Sequence, residues 1–243
     1  MARKRIDVLL VERGLFDSRA KAQAAIADGR VAVGGRVMQK ASDSVEELAD
    51  VIVQAAEDWV GRGAFKLAAA LARWPLAVRG RTVLDIGAST GGFTEVCLRA
   101  GAAKVFAVDV GRDQLHPRVA ADARVQRLEG VDARSLSPKQ IDIPPDLIVC
   151  DASFIGLAKV LPAALVLAAP GADLIALVKP QFEVGQALVG KGGLVKDEGA
   201  RLKAVADVAA FLEGAGWTVR ETAPSPITGG DGNVEYLLWA CRA

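Results

Sequence analysis

Asp85-Ile86-Gly87-Ala88-Ser89-Thr90-Gly91-Gly92-Phe93-Thr94 is the stretch whose reading decides the fold. The apolar run Thr82-Val83-Leu84 leads into it, and an apolar helical pattern leaves it near Phe93. A strand, a glycine-rich turn and a helix in that order bring a nucleotide against exposed backbone. Glycine serves there because a Cβ would hold a ligand off the main chain, and parts of such turns need positive φ. The next strand pattern, Lys104 to Val108, ends at Asp109, 22 residues beyond Gly87 and well placed to meet ribose hydroxyls. The spacing departs from the G-x-G-x-x-G of dinucleotide enzymes, and Asp85 stands two residues before the first glycine. Asp85, Gly87, Ser89, Gly91, Gly92 and Asp109 together suit S-adenosylmethionine better than NAD.

From Thr82 onward, strand and helix patterns alternate. Strands are expected at 82–86, 104–109, 125–128, 146–150, 172–178, 217–223 and 233–240. Helices are expected at 92–100, 157–168 and 198–214, with a weaker one around 113–121. That alternation predicts an α/β, Rossmann-like domain, a parallel sheet with helices on both faces and an antiparallel last strand. Ligands in such sheets bind at the carboxyl ends of the strands. The residues placed there are the glycines, Asp109, Asp132 with Arg134, Asp151-Ala152-Ser153-Phe154 and Lys179, with Glu235 just inside the last strand. Asp132 is a candidate acceptor for an adenine amino group, Asp151 a further acid at the cofactor edge, and Phe154 a flat surface for stacking a base. Lys66 sits in the first turn of a helix pattern at 64–74, where a cation opposes the helix dipole and needs solvent or an acid. Lys66, Asp151, Lys179 and Glu235 form the constellation with the most chemistry. Each taken singly could be an ordinary ion-pair partner.

Composition limits the other possibilities. The chain has 243 residues, 51% of them hydrophobic, and a net charge of +1, so any nucleic-acid contact must come from a local patch. The first forty residues supply one, with nine Lys and Arg against four acids. Two short helices there, the second capped by Ser18, precede a Val31/Val33 hairpin turned by Gly34-Gly35. This resembles the small α+β RNA-binding domain shared with ribosomal protein S-four; a solvated basic surface is the alternative. Three scattered cysteines, Cys97, Cys150 and Cys241, read as buried free thiols, and one histidine leaves a zinc site almost without ligands. The longest apolar run is broken by Pro162, Pro170 and Asp173, and the basic N-terminus lacks an apolar core, so a cytoplasmic protein is expected, with neither membrane nor metal as partner.

Gly63-x-x-Lys66, D-I-G-A-S-T-G-G-F-T, D-A-S-F-I, V-K-P-Q-F-E and G-N-V-E-Y, in that order, resemble the TlyA family of ribosomal RNA 2′-O-methyltransferases over essentially the whole chain. The resemblance implies an S-four-like domain at 1–55, a linker at 56–62 and an FtsJ-type methyltransferase domain at 63–243. It implies a Lys-Asp-Lys-Glu catalytic set on Lys66, Asp151, Lys179 and Glu235, with Lys179 as proton acceptor or electrostatic stabiliser. It also implies RNA contacts at Arg5, Arg19, Lys40, Arg62 and Arg134, with ribosomal RNA inside ribosomal subunits as partner. Two departures stand out: Glu57-Asp58-Trp59-Val60 where relatives often read Arg-x-Trp-Val, and Asp231 in the loop before Glu235. A methyltransferase for a non-RNA substrate and a membrane-lytic protein are the competing readings, and the oligomeric state is left open.

Overall fold

The computed structural model describes residues 3–53 and 58–242. The chain divides into two compact units, Met1–Asp58 and Trp59–Ala243. Residues 56 and 57 of the expected linker lie outside the described residues.

The first unit runs β1 (Arg3–Arg5), α1 (Ile6–Glu12), α2 (Arg19–Ala27), β2 (Val31–Val33), β3 (Arg36–Val37), β4 (Ser44–Glu46) and β5 (Val51–Val53). Ile6, Leu9 and Leu10 fall on one side of α1 and meet Ala22, Ala25 and Ile26 of α2 over Val31, Met38 and Val45. The Ser18 side chain accepts the Lys21 N–H, satisfying an otherwise orphaned donor at the start of α2. β3, β2 and β5 form one antiparallel sheet. β1 and β4 pair separately, a ladder the sequence did not lead us to expect. The triplet Arg3-Lys4-Arg5 carries no apolar alternation, so only backbone pairing makes it a strand.

The second unit continues with α3 (Gly63–Arg73), β6 (Thr82–Ile86), α4 (Gly92–Arg99), β7 (Lys104–Asp109), α5 (Pro117–Ala120), β8 (Val125–Glu129), β9 (Leu147–Cys150), α6 (Leu157–Val160), α7 (Pro162–Leu167), β10 (Asp173–Val178), α8 (Pro180–Glu183), α9 (Glu198–Gly214), β11 (Trp217–Pro224) and β12 (Tyr236–Arg242). Its sheet has the order β11-β12-β10-β9-β6-β7-β8. β10, β9, β6, β7 and β8 are parallel, and β12 is antiparallel to both β10 and β11. The chain builds outward from β6 to β8 and then returns to β9 on the other side of β6. The ends of β6 and β9 therefore flank the point where the strand order reverses, which is where ligands bind in such sheets.

Leu84, Ile86, Ile148, Cys150, Leu174 and Ala176 bury one sheet face, while Val83, Leu147, Val149, Ile175 and Leu177 bury the other. Trp59 and Val60, in the expected connector, pack against this second core, and Val60 donates its N–H to Glu95 at 2.8 Å. The single helix expected at 157–168 is two, because Pro162 brings no N–H to continue the ladder and begins α7 afresh. The weaker helix around 113–121 shrinks to α5, since Asp113 takes a left-handed φ of 55°. β12 starts at Tyr236, so Glu235 precedes the strand it was expected to lie in. Cys97 and Cys150 are buried thiols, whereas Cys241 is only partly buried.

Asp85 alternates with Val83 on the face toward α4 and is wholly enclosed. Its Oδ2 accepts the Thr94 hydroxyl at 2.6 Å, and no donor reaches its Oδ1. Burial pushes its pKa up to about 7, against the Thr94 hydrogen bond and with reinforcement from the charge of Asp151. A carboxyl whose proton is held more tightly in the folded state stabilises the fold below its unfolded value near 4 and loses that contribution as pH rises through 7. Asp85→Asn, which keeps the shape of the neutral acid, is expected to gain stability over wild type as pH climbs from about 4 to 7, by on the order of a few kcal/mol. Urea denaturation of both proteins across that range checks it; a stability difference that stays constant with pH contradicts it.

Candidate active site

The turn after β6 is pressed onto the segment after β9. Gly87 has φ 79°, and a Cβ there would lie 2.9 Å from Ala152 Cα, so no other residue lets the two segments close up. Ser89 takes a left-handed φ of 46°, a conformation that L-residues adopt at a cost. It turns its N–H to Asp109 Oδ2 at 2.8 Å, while Asp109 Oδ1 accepts the Gly111 N–H at 2.7 Å. Gly91 has φ 94° where the chain enters α4, and a Cβ on Gly92 would lie 3.0 Å from Ala64 N.

A cavity of about 560 Å³ opens at this edge, its lining including Gly87, Ser89, Asp109, Asp132, Asp151 and Phe154. A glycine that exposes backbone and a carboxylate with acceptor capacity beyond its two N–H bonds fit a nucleoside-bearing ligand carrying ribose hydroxyls. Asp85, Gly91 and Gly92 do not line the cavity; they shape the turn from behind. Asp132 does line it, but its carboxylate caps the following 3-10 turn and holds Arg134 at 2.6 Å. Arg134 therefore keeps Asp132 charged, holding its pKa below the ordinary carboxylate range.

Next to the cavity lies a buried charge network. Lys66 Nζ donates to Glu235 Oε2 at 2.6 Å and stands 3.9 Å from Asp151 Oδ1. Lys179 Nζ lies 2.8 Å from the same Asp151 Oδ1, and also donates to the Asp151 carbonyl at 3.0 Å and to Ser153 Oγ at 2.8 Å. Asp151 Oδ1 is a buried ionic contact of both ammoniums without an aligned hydrogen bond. Two cations and two anions make the cluster neutral overall, which lowers the cost of burying each. Burial pushes the Glu235 carboxyl up and the Lys66 charge opposes it. Glycines make room for the acids: a Cβ on Gly229 would sit 2.7 Å from Glu235 Oε1, and one on Gly63 would sit 3.1 Å from Asp151 Oδ2. The cation in the first turn of α3 thus finds its acid in Glu235.

Phe154 is 91% exposed, has φ 65°, and its ring centre lies 5.3 Å from that of Phe182. Arg62 donates to the Thr228 carbonyl at 3.2 Å. In the first unit, buried Asp7 organises two of the expected RNA contacts. Arg5 grips it with Nε and an NH2 at 3.0 Å, Arg19 reaches it at 2.9 Å and Gln23 at 2.8 Å. Those donors hold Asp7 well below the usual carboxylate range despite its burial. Lys40 is exposed on the same unit. Asp7, Ser153 and Phe182 carry no assigned role in the sequence alone. Ser153 and Phe182 stand inside motifs, D-A-S-F-I and V-K-P-Q-F-E, whereas Asp7 stands in none.

The comparisons with known proteins bear on the family and the two domains. Residues 59–242 match the FtsJ-like methyltransferase model and residues 4–52 match the S4 domain. The chain is 47% identical over 242 residues to the 16S/23S rRNA (cytidine-2′-O)-methyltransferase TlyA of Mycobacterium tuberculosis, covering 98% of this chain and 90% of that one. It is 34% identical to Hemolysin A of Brachyspira hyodysenteriae, covering 96% and 98%. A solved structure described as a hemolysin from Streptococcus thermophilus matches with TM-score 0.76 and 36% identity, over 100% of this chain and 90% of that one. Two domain matches in order and relatives similar over nearly the full length leave one conclusion: the chain belongs to the TlyA family of FtsJ-like methyltransferases that carry an S4 domain.

Proposed function

We propose that this chain transfers a methyl group from S-adenosylmethionine to the ribose 2′-oxygen of cytidine in ribosomal RNA, acting on ribosomal subunits in the cytoplasm. The observation that carries the reading is the buried Lys66–Glu235 and Asp151–Lys179 network at the lip of the cavity. Support for RNA as substrate comes from the S4 domain and from relatives that are rRNA cytidine-2′-O-methyltransferases by name. S-adenosylmethionine, when bound, supplies a methyl already activated on a sulfonium. In this reading Gly87, Ser89 and Asp109 hold the nucleoside portion. What remains for the chain is to align a ribose hydroxyl and manage its proton.

Alignment lowers such a barrier by up to about 7–11 kcal/mol, and a positioned proton acceptor adds about 10²–10⁴-fold. Lys179 is the group that acts on the hydroxyl, because it reaches Asp151 and Ser153, both of which line the cavity. Lys66, itself paired with Glu235, stands 3.9 Å from Asp151 Oδ1 and helps fix the carboxylate that orients Lys179. Phe154, projecting beside the cavity, offers a surface on which a base drawn from its helix stacks. Arg5, Arg19 and Lys40 act as phosphate contacts on the S4 domain, and Arg62 and Arg134 on the methyltransferase domain. Asp7 holds the first two in fixed orientation.

Two outcomes are expected. Lys179→Ala abolishes methyl transfer while calorimetry shows S-adenosylmethionine binding within a few-fold of wild type, and Lys179→Arg does not rescue, since guanidinium differs in shape and keeps its proton. Substantial turnover by the alanine variant at saturating RNA contradicts this, and so does tight NAD binding by wild type. Arg19→Ala combined with Lys40→Ala leaves Asp7 gripped by Arg5 and Gln23. The pair should raise KM for ribosomal subunits and flatten its salt dependence by about 0.7–0.9 in log–log slope per lost phosphate contact, with kcat unchanged. A salt series with an unaltered slope rules out these two residues as phosphate contacts.

A further inference from the structure

We propose that Ser153 is a positioning residue for Lys179: its hydroxyl holds the ammonium toward the cavity and leaves the third N–H for the ribose 2′-oxygen. The inference rests on the methyl-transfer reading above. A lysine ammonium has three N–H donors, and Lys179 meets three oxygens: it donates to the Asp151 carbonyl and to Ser153 Oγ, while Asp151 Oδ1 is an ionic contact without an aligned hydrogen bond. Two of these cannot leave. The Asp151 backbone is locked to β6, where its N–H donates to the Ile86 carbonyl at 3.0 Å, and Gly87 packs against the peptide that follows. Asp151 Oδ1 is caught between the ammoniums of Lys179 and Lys66.

Ser153 differs in each respect. It is exposed, it lines the cavity, and its hydroxyl is uncharged. One side-chain torsion with three staggered wells is all that holds its oxygen on Lys179. A neutral hydroxyl, like the Asp151 carbonyl, holds a cation less strongly than the carboxylate does. Ser153 therefore acts as a guide on the cavity side: it keeps Lys179 from being drawn wholly to the acids behind it, which preserves its aim at the site of reaction. The N–H without an aligned acceptor is left for a ribose hydroxyl docking from the cavity.

The test uses the full-length protein and two substitutions. Ser153→Ala should lower kcat on ribosomal subunits about tenfold, the scale of losing one hydrogen bond to a charged group, with KM for RNA and affinity for S-adenosylmethionine within about twofold. Ser153→Thr keeps the hydroxyl and should restore kcat to within about threefold. Wild-type kcat in the alanine variant overturns the proposal. So does a loss that threonine does not repair, or one that cofactor affinity shares, because either would make Ser153 part of the cavity wall only. A second readout needs no RNA: acetic anhydride labelling of Lys179, followed by peptide mass spectrometry. Ser153→Ala should lower Lys179 labelling several-fold relative to exposed lysines, as the amine is drawn to the acids behind it, and unchanged or raised labelling overturns the proposal. Should wild type methylate no ribosomal RNA, the substrate reading fails, while the labelling still decides what Ser153 does to Lys179.

Discussion

Burying two lysines and two carboxylates side by side is the constraint on which this structure depends. Each charge alone would cost several kcal/mol to take out of water, and removing one partner leaves another stranded. Lys66 comes from α3, Asp151 from the end of β9, Lys179 from the end of β10 and Glu235 from the residue before β12. All four elements must dock before all four charges are answered. The network is therefore satisfied only in the finished fold. Apolar residues of similar volume could fill the same space at no loss of stability, so stability alone does not account for it. Its place beside the cavity ties it to chemistry, and perturbed acids such as Glu235 are common at such places.

Backbone conformation is bent to the same end. Ser89 and Phe154 both adopt left-handed φ values, and both line the cavity. One of these conformations aims an N–H at Asp109, and the other sets an aromatic ring out in solvent. Strain of this kind is held by surrounding contacts, here the close approach of Gly87 to Ala152. The rigid part of the site is thus built where β6 and β9 end, and the adaptable part, Ser153 and Phe154, follows directly after.

Much of this was legible in the sequence because burial writes itself plainly there. Apolar runs such as Leu174 to Val178 gave the central strands nearly to the residue, and the reversed last strand followed from two strand patterns joined by a loop. What escaped was made by contacts distant in sequence or by backbone alone. β1 consists of three basic residues and is a strand only because β4 pairs with it. Pro162 divided a helix whose apolar pattern ran straight through it. The need of Lys66 for an acid was readable and Glu235 stood in its constellation, but that Glu235, 169 residues away, is the acid it pairs with was not. Asp7 and Ser153 were invisible for a related reason: short polar side chains carry no periodic signal, and their roles appear only when the donors around them are in place. Asp132 shows the converse, since its carboxylate, expected to be open to a ligand, is held by Arg134 two residues on.

The account stands or falls on where the methyl group goes. Ribosomal subunits from cells lacking this protein, incubated with the purified chain and S-adenosylmethionine, can be digested to nucleosides and mapped by mass spectrometry. Transfer to a ribose 2′-oxygen predicts new 2′-O-methylcytidine, confined to discrete positions in ribosomal RNA. A methyl group found on a base, or ribosomal RNA left unmodified while S-adenosylmethionine binds, would contradict it.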